Sequence, residues 1–434
     1  MRLFSPALFL GVASLAVACT RPASTTPAPV ASAAVRGSEL TLAEVARLRR
    51  TRSYFMLRDR LAQARDTAAP AARYARAIIE HAMNRPASSN AALARLRQTP
   101  ALSDSVAGDA WELEISNDLR LADYAAGARA TDSLLSGRFI LDSLRAFDVR
   151  NTQRIFHVLA GTPSQTMTAD GPSEIKISEG HVPMIINGSA REYVFDTGAN
   201  MSTIMRSEAI ALGLRIVPAG IDVGSSTSVR VTADLGVADS VRIGAMHFHD
   251  VVFLVLDDAL LTFPGGFRLP GIIGFPVIEQ MGEIRMKGRS LLSVPAVPTL
   301  RTEGNLLLDE LTLLTPVQWD RRPLLCRLDT GAEHTQVYER FYRSYRGVID
   351  AASDTGTRKF GGAGGVVTTP VRVVRGARLV AGDTVATLNT LDVLIHSIAR
   401  DETEDYLDCN LGHDVFDQFD EMIVNFRDMA WLLR

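Results

Sequence analysis

Apolar positions recur with a period near 3.6 from Ser38 to about Ala160, which predicts a helical region. "SYFMLRDRLAQAR" brings Phe55, Leu57 and Leu61 towards one helix face. "APAARYARAIIEHAMNRP" reads as a helix beginning near Pro70 and ending before Pro86. "DAWELEISNDLRLADYAAGARATDSLLS" predicts two further helices, with Ala125, Ala126 and Ala128 where backbones can approach closely. The helices read as α-hairpins loosely similar to tetratricopeptide units, without a clean 34-residue period. "AGTPSQTMTADGPSE" is polar and bears Gly and Pro, which marks a boundary. Beyond it the period changes to 2: "IKISEGHVPMIINGSAREYVFDTG" alternates and turns at Asn187-Gly188, a hairpin signal. β character then continues to the C-terminus.

The β half repeats itself. "FDTGANMST" (Phe195–Thr203) and "LDTGAEHTQ" (Leu328–Gln336) place Asp196 and Asp329 133 positions apart. Gly274 in "PGIIGFPVIEQM" lies 78 positions beyond the first, and Gly412 in "DCNLGHDVFDQF" lies 83 beyond the second. Aligned on these glycines, Val277 matches Val415, Ile278 matches Phe416, and Gln280 matches Gln418. Each copy closes with a hairpin-like pair, "GEIRMKGRSLLSV" and "EMIVNFRDMAWLL". Two homologous β lobes in tandem follow. A third Asp-Thr-Gly, at Asp354-Thr355-Gly356, follows Ala-Ala-Ser rather than an apolar strand and has no glycine landmark beyond it. It reads as a turn.

With its two ordered D-T-G-A loops and hydrophobic-hydrophobic-Gly segments, the region from about Ile175 to Arg434 resembles retropepsin-like aspartic proteases, here with both lobes fused in one chain. The resemblance implies an endopeptidase in which Asp196 and Asp329 share a proton across a bound water. Two carboxyls a few ångströms apart cannot both ionise, so one serves as base and the other as acid. Thr197 and Thr330 would then lock the loops together by hydrogen bonds across the lobe interface. Gly198 and Gly331 would let backbone amides approach the carboxylates. Ala199 and Ala332 stand where pepsin-like relatives often carry a hydroxyl donor, so the pair should titrate higher and work at weakly acid to near-neutral pH.

The family also covers its cleft with Gly-tipped hairpins. "KFGGAGGVVTTPV" supplies such a tip, with Gly361, Gly362, Gly364 and Gly365 as candidate flap and substrate-binding positions; "GIDVGSSTSVRV" is a poorer match in lobe one. Two residues depart from the family pattern: Asn410 replaces an apolar residue, and Glu333 stands opposite Asn200. Neither is expected to touch the carboxylates. Cys326 and Cys409 each precede a landmark (Asp329 and Gly412) by three residues. They either pair, if their strands are neighbours, or remain two separate buried thiols. His247 and His249 alternate onto one strand face and read as solvated; no metal or other cofactor is expected.

Composition narrows the reading. At 434 residues with 47% hydrophobic content the chain can bury several cores, and a formal charge of −3 without a basic cluster gives no footing to nucleic acid. "MRLFSPALFLGVASLAVACTRPAS" has a short positive start and an apolar stretch too brief to span a bilayer, the form of an export signal. Cleavage after Ala18 suits ordinary signal peptidase, while Cys19 resembles the acylated cysteine of a lipoprotein. The latter is favoured by the Pro/Ser/Thr/Ala-rich tether that follows.

The predicted organisation is a signal peptide (1–18), a tether (19–38), a TPR-like α-helical domain (39–160), a linker (161–173) and two all-β retropepsin-like lobes (174–297 and 298–434). The predicted protein is exported and lipid-anchored in a bacterial envelope, facing the periplasm or the outside. It is a monomer with an internal pseudo-dimer, acting on a protein or peptide and meeting a membrane only through the anchor. The alternatives are a catalytically inactive peptide-binding pseudo-protease and a scaffold lipoprotein working through its helices.

Overall fold

The computed structural model describes residues 39–434 except Ala101, Ile140, 225–230, 301–303 and 399–405. The export signal, the tether and Cys19 lie outside the described residues. Among the described residues seven helices come first: α1 (Leu42–Arg50), α2 (Tyr54–Ala62), α3 (Pro70–Ala82), α4 (Pro86–Arg97), α5 (Asp104–Arg120), α6 (Tyr124–Leu135) and α7 (Ser143–Leu159). Their starts follow from local chemistry. Proline opens α3 and α4, where no backbone N–H is needed. The side chains of Thr41, Ser103, Asp123 and Asp142 accept from free amides at the heads of α1, α5, α6 and α7.

Successive helices pack as neighbours, but of the three alanines only Ala128 lies on the buried face of α6. Ala125 is exposed and Ala126 only half-buried. The close approach is at Gly127, where a Cβ would stand 2.1 Å from the Phe156 ring of α7. The buried face of α6 runs through Tyr124, Gly127, Ala128, Thr131 and Leu134, a three- and four-residue spacing that passes over Ala125. Among the described residues no helix is long and apolar enough to cross a membrane.

Among the described residues the β half contains two eight-stranded sheets and a five-stranded one. Ile186 pairs with Ser189 around Asn187 and Gly188, both at positive φ, so the predicted hairpin forms there. The two large sheets repeat one crossing pattern. In lobe one, strand Ser189–Phe195 runs parallel to Gly271–Ile273. That strand pairs antiparallel with Ser202–Met205, which runs parallel to Met246–Leu256. In lobe two, Arg322–Leu328, Cys409–Leu411, Gln336–Val337 and Thr384–Leu394 repeat these relations in the same order. The closing hairpins of the two copies meet as one sheet across the lobes, with Ile284 opposite Val424. Strand Ser173–Lys176 joins its edge against Leu291–Val294.

Three expectations change. Asp354-Thr355-Gly356 is not a turn: it lies in strand Ser353–Gly362, paired with Gly365–Ala381, and Asp354 meets Arg375 at 3.1 Å on the exposed face. Its polar alternation is that of a solvent-facing hairpin arm, which lacks the apolar run expected of a buried strand. Part of the linker is also a strand, Thr166–Ala169, paired with Met246–Leu256. Nor do the helices stand apart: residues 39–434 form one compact unit. Helix α3 lies on strand Leu307–Asp309 and α7 on strand Arg215–Val223. Leu48, Leu57 and Ile78 share a core with Leu307, Leu314 and Val373 of lobe two. Leu134 and Phe156 share another with Leu235, Val237 and Leu254 of lobe one.

Ion pairs lie at the same junctions. Arg52 Nε meets Asp309 at 2.8 Å, and the buried Arg120 reaches Glu279 at 3.7 Å. His247 Nε2 donates to the Asp170 carboxylate at 3.0 Å while His249 is exposed, the arrangement of a solvated strand face.

Candidate active site

Each Asp-Thr-Gly loop begins where a strand ends against its parallel neighbour. The Asp196 amide donates to Ile273 and the Asp329 amide to Leu411, at 3.0 and 3.1 Å. One residue after each of these carbonyls the chain turns into a short helix, capped by Gly274 and Gly412. A Cβ at Gly274 would stand 2.5 Å from the Met201 carbonyl carbon, and one at Gly412 would stand 2.8 Å from the Ala332 oxygen. Glycine is required by this approach. The amides of Gly274 and Gly412 donate to the hydroxyls of Ser202 and Thr335, six positions after their aspartates, at 3.1 and 3.0 Å. These two hydroxyls were not singled out in the sequence, although their equal offset is legible there.

The loops meet at their threonines. Thr330 Oγ1 accepts from the Thr197 amide at 3.0 Å and donates to the Phe195 carbonyl at 2.8 Å. Thr197 Oγ1 accepts from the Thr330 amide at 3.1 Å and donates to the Leu328 carbonyl at 3.0 Å. All four bonds are cross-lobe and buried. Valine at 330 keeps the shape but orphans one amide and one carbonyl, each worth about 1–3 kcal/mol when buried unpaired. The Thr330→Val protein should therefore lose about 2–6 kcal/mol in urea unfolding. A loss below about 0.5 kcal/mol would remove these bonds as the clamp between the lobes.

The clamp brings the carboxyls face to face. A Cβ on Gly198 would fall 2.5 Å from Asp329 Cγ, and one on Gly331 would fall 2.4 Å from Asp196 Cγ. The Gly198 amide donates to Asp196 Oδ1 at 2.7 Å and the Gly331 amide to Asp329 Oδ1 at 3.0 Å. Burial, and next the facing charge of Asp329, push the Asp196 carboxyl up to about 8. Asp329 itself is 8% exposed. Ala199 and Ala332 lie in the same loops, each amide donating to its aspartate's own carbonyl at 3.3 Å.

Lobe two carries a feature that lobe one lacks. Asn410 touches the pair, contrary to expectation: its Nδ2 donates to Asp329 Oδ2 at 2.9 Å. Arg327 Nη2 donates to the same oxygen at 3.1 Å, and Arg327 Nε donates to Asn410 Oδ1 at 2.7 Å. Asn410 stands in register with Arg327 on the neighbouring strand, so its side chain shares the face of the carboxylate. Glu333, by contrast, points away to Arg289 at the tip of the lobe-one closing hairpin, at 2.6 Å through both oxygens. Cys326 and Cys409, one residue before Arg327 and Asn410 in the same register, are joined in a disulfide.

The Gly-rich segment forms the predicted hairpin. Gly362 pairs with Gly365, both Gly364 and Gly365 have positive φ, and the Gly364 amide donates to the lobe-one Leu260 carbonyl at 3.0 Å. A Cβ on Gly361 would come within 3.8 Å of Phe263. The tip thus reaches from lobe two to lobe one. The lobe-one hairpin pairs Arg215–Val223 with Val231–Ile243; the tip of "GIDVGSSTSVRV" lies outside the described residues.

Residues 182–277, from the first hairpin through the first loop to the helix after Gly274, match the family model described as aspartyl protease. No curated protein gives a match. Among solved structures, the chain is similar to a retropepsin-like aspartic protease from Rickettsia conorii. The two share 18% identity over 31% of this chain and 98% of that one, with a TM-score of 0.21.

Proposed function

We propose that this chain, a member of the retropepsin-like aspartic proteases by its first lobe and its paired loops, is a single-chain aspartic endopeptidase with Asp196 and Asp329 as its catalytic residues. The observation that carries the reading is the facing of two carboxyls across the four threonine bonds. Each is too close to its neighbour for both to be charged.

With one proton on the pair, water held between the carboxyls loses a proton to the ionised member as its oxygen attacks the peptide carbonyl. The protonated member gives its proton to the carbonyl oxygen, and a neutral gem-diol forms. The proton gained by the base then passes to the departing nitrogen. A hydroxyl proton of the gem-diol returns to the other carboxyl as the C–N bond breaks. The pair ends as it began, with one proton. The Gly361–Gly365 tip would lie over an extended substrate, its glycines leaving room for backbone-to-backbone approach. The helices, paired in TPR-like hairpins, brace the two lobes.

The test is cleavage of a denatured protein mixture by the full chain across pH 4 to 9, with and without a statine-type inhibitor. Because Asp196 is pushed up, the singly protonated pair persists through neutral pH. As pH rises through about 8 the last proton leaves, the acid is gone, and the rate should fall. A rate blocked by the inhibitor, with that alkaline limb, supports the reading. Absence of cleavage at every pH would hand the cleft to a peptide binder without catalysis.

A further inference from the structure

The two copies differ beside the carboxylates. Two residues before Asp196 stands Val194, in register with Ile272; two residues before Asp329 stands Arg327, in register with Asn410. Alternate residues of a strand share a face, so each of these pairs flanks its own carboxyl. Lobe one thus surrounds Asp196 with aliphatic groups, and lobe two surrounds Asp329 with a guanidinium and an amide.

Building on the protease reading, we propose that Arg327 and Asn410 are positioning residues that make the pair asymmetric. They keep Asp329 as the carboxylate that receives the proton of water and leave the shared proton on Asp196. Asp329 Oδ2 receives N–H groups from Arg327 and Asn410, and Oδ1 receives the Gly331 amide. The Asn410 amide has no freedom to reverse. Its Oδ1 is taken by Arg327 Nε, so its Nδ2 must face Asp329. A proton on Asp329 Oδ2 would point at two donors and lose a charge-assisted pair worth more than a neutral hydrogen bond. A proton on Asp196 Oδ2 meets no such conflict, since the Gly198 amide donates to Oδ1 and the side chains of Val194 and Ile272 carry no donors; burial already favours its neutral form.

The charged and titratable groups around Asp329 come from every element packed on it. Arg327 lies on its own strand, and Asp196 faces it from the other lobe. His413 lies on the following helix, held by the Thr330 carbonyl and by Asp417. Glu333 lies further along the loop and is neutralised by Arg289. Arg327 is the cation in direct contact.

The assignment has a catalytic consequence. Attack is directed: water gives its proton towards the lobe-two side, and the substrate carbonyl oxygen takes its proton from the lobe-one side. A symmetric pair would permit either direction.

The experiment reads the carboxyls directly, by carbon-13 NMR of the full chain labelled at aspartate Cγ. The two resonances are assigned with Asp196→Asn and Asp329→Asn. The expected result between pH 5 and 7 is a carboxylic-acid signal for Asp196 and a carboxylate signal for Asp329. In Arg327→Met and Asn410→Leu, protonation of Asp329 should move up by about one pH unit or more. In Arg327→Lys, which keeps the charge, it should stay near the native value. The acid limb of kcat/KM should follow the same order, with KM little changed.

A native protein with the proton on Asp329, or a titration unmoved in both Arg327→Met and Asn410→Leu, overturns the proposal. The cleavage assay reports separately on the protease reading. If nothing is cleaved while the NMR pattern holds, the asymmetry stands and the activity does not.

Discussion

Asparagine at position 196 alone, or at position 329 alone, should abolish the proposed peptide-bond cleavage, lowering kcat/KM by at least about a thousandfold. The size follows from what an amide cannot do. It keeps the shape of the carboxyl and still accepts from the Gly198 or Gly331 amide, so the loop geometry survives. It can neither take a proton from water nor hold one for the carbonyl oxygen, and each of these acts is worth about 10² to 10⁴ in rate. Since the two residues work as one unit, the double variant should be no slower than either single one. Stability should not fall in Asp196→Asn, because a neutral side chain relieves the burial and like-charge cost that pushes this carboxyl up to about 8. The measurement is kcat/KM on a fluorogenic peptide alongside thermal melts. More than a tenth of native activity in folded Asp329→Asn would show that lobe two is not half of the catalytic apparatus.

Much of this site was legible in the sequence because it repeats. Two loops with the same apolar approach and similar distances to a glycine landmark are hard to reconcile with two unrelated turns. The geometry explains the glycines, which sit where any Cβ would strike a carboxyl or a neighbouring carbonyl. The role of Asn410 was not legible alone. An asparagine in an apolar pattern reads as a weakened lobe, and only its register with Arg327 shows that the two polar residues replace an aliphatic pair together.

The Asp354 strand was missed because exposed hairpin arms need little apolar character, and local sequence then cannot tell an arm from a turn. The glycine at α6 was passed over for its alanine neighbours because helical phase, not composition, decides which small residue meets Phe156. The attachment of the helices was invisible for another reason. An apolar helix face announces that it will be buried but not against what, and here its partners lie up to several hundred positions away, as Arg52 and Asp309 do.

That attachment sets the second large effect. A chain beginning at Glu174 should fail to fold, rather than emerge as a more active enzyme freed of an occluding domain. Removing α1 to α7 uncovers Leu307, Leu314 and Val373 on lobe two, and Leu235, Val237 and Leu254 on lobe one. At about 1.5–3 kcal/mol for each buried side chain, these six alone match or exceed the whole stability of a typical domain, about 5–15 kcal/mol. The truncation also removes the ion pairs of Arg52 with Asp309 and of Arg120 with Glu279.

A milder change reads the same junction with the chain intact. Arg120→Met leaves Glu279 buried alone, and burial already holds its carboxyl at about 7 even beside the arginine. Without that cation it rises further. The native state of the variant therefore binds a proton that the unfolded chain releases above its ordinary carboxyl range, and stability falls as pH rises from about 5 to 8. Urea unfolding at pH 5, 7 and 8 should show both proteins losing stability up to about pH 7, where native Glu279 is ionised, and only the variant continuing to lose it between 7 and 8. A truncated chain that is monomeric, shows native near-UV circular dichroism and cleaves faster than the full chain would reverse the conclusion. The helices would then be an inhibitory cover and not half of the fold's support.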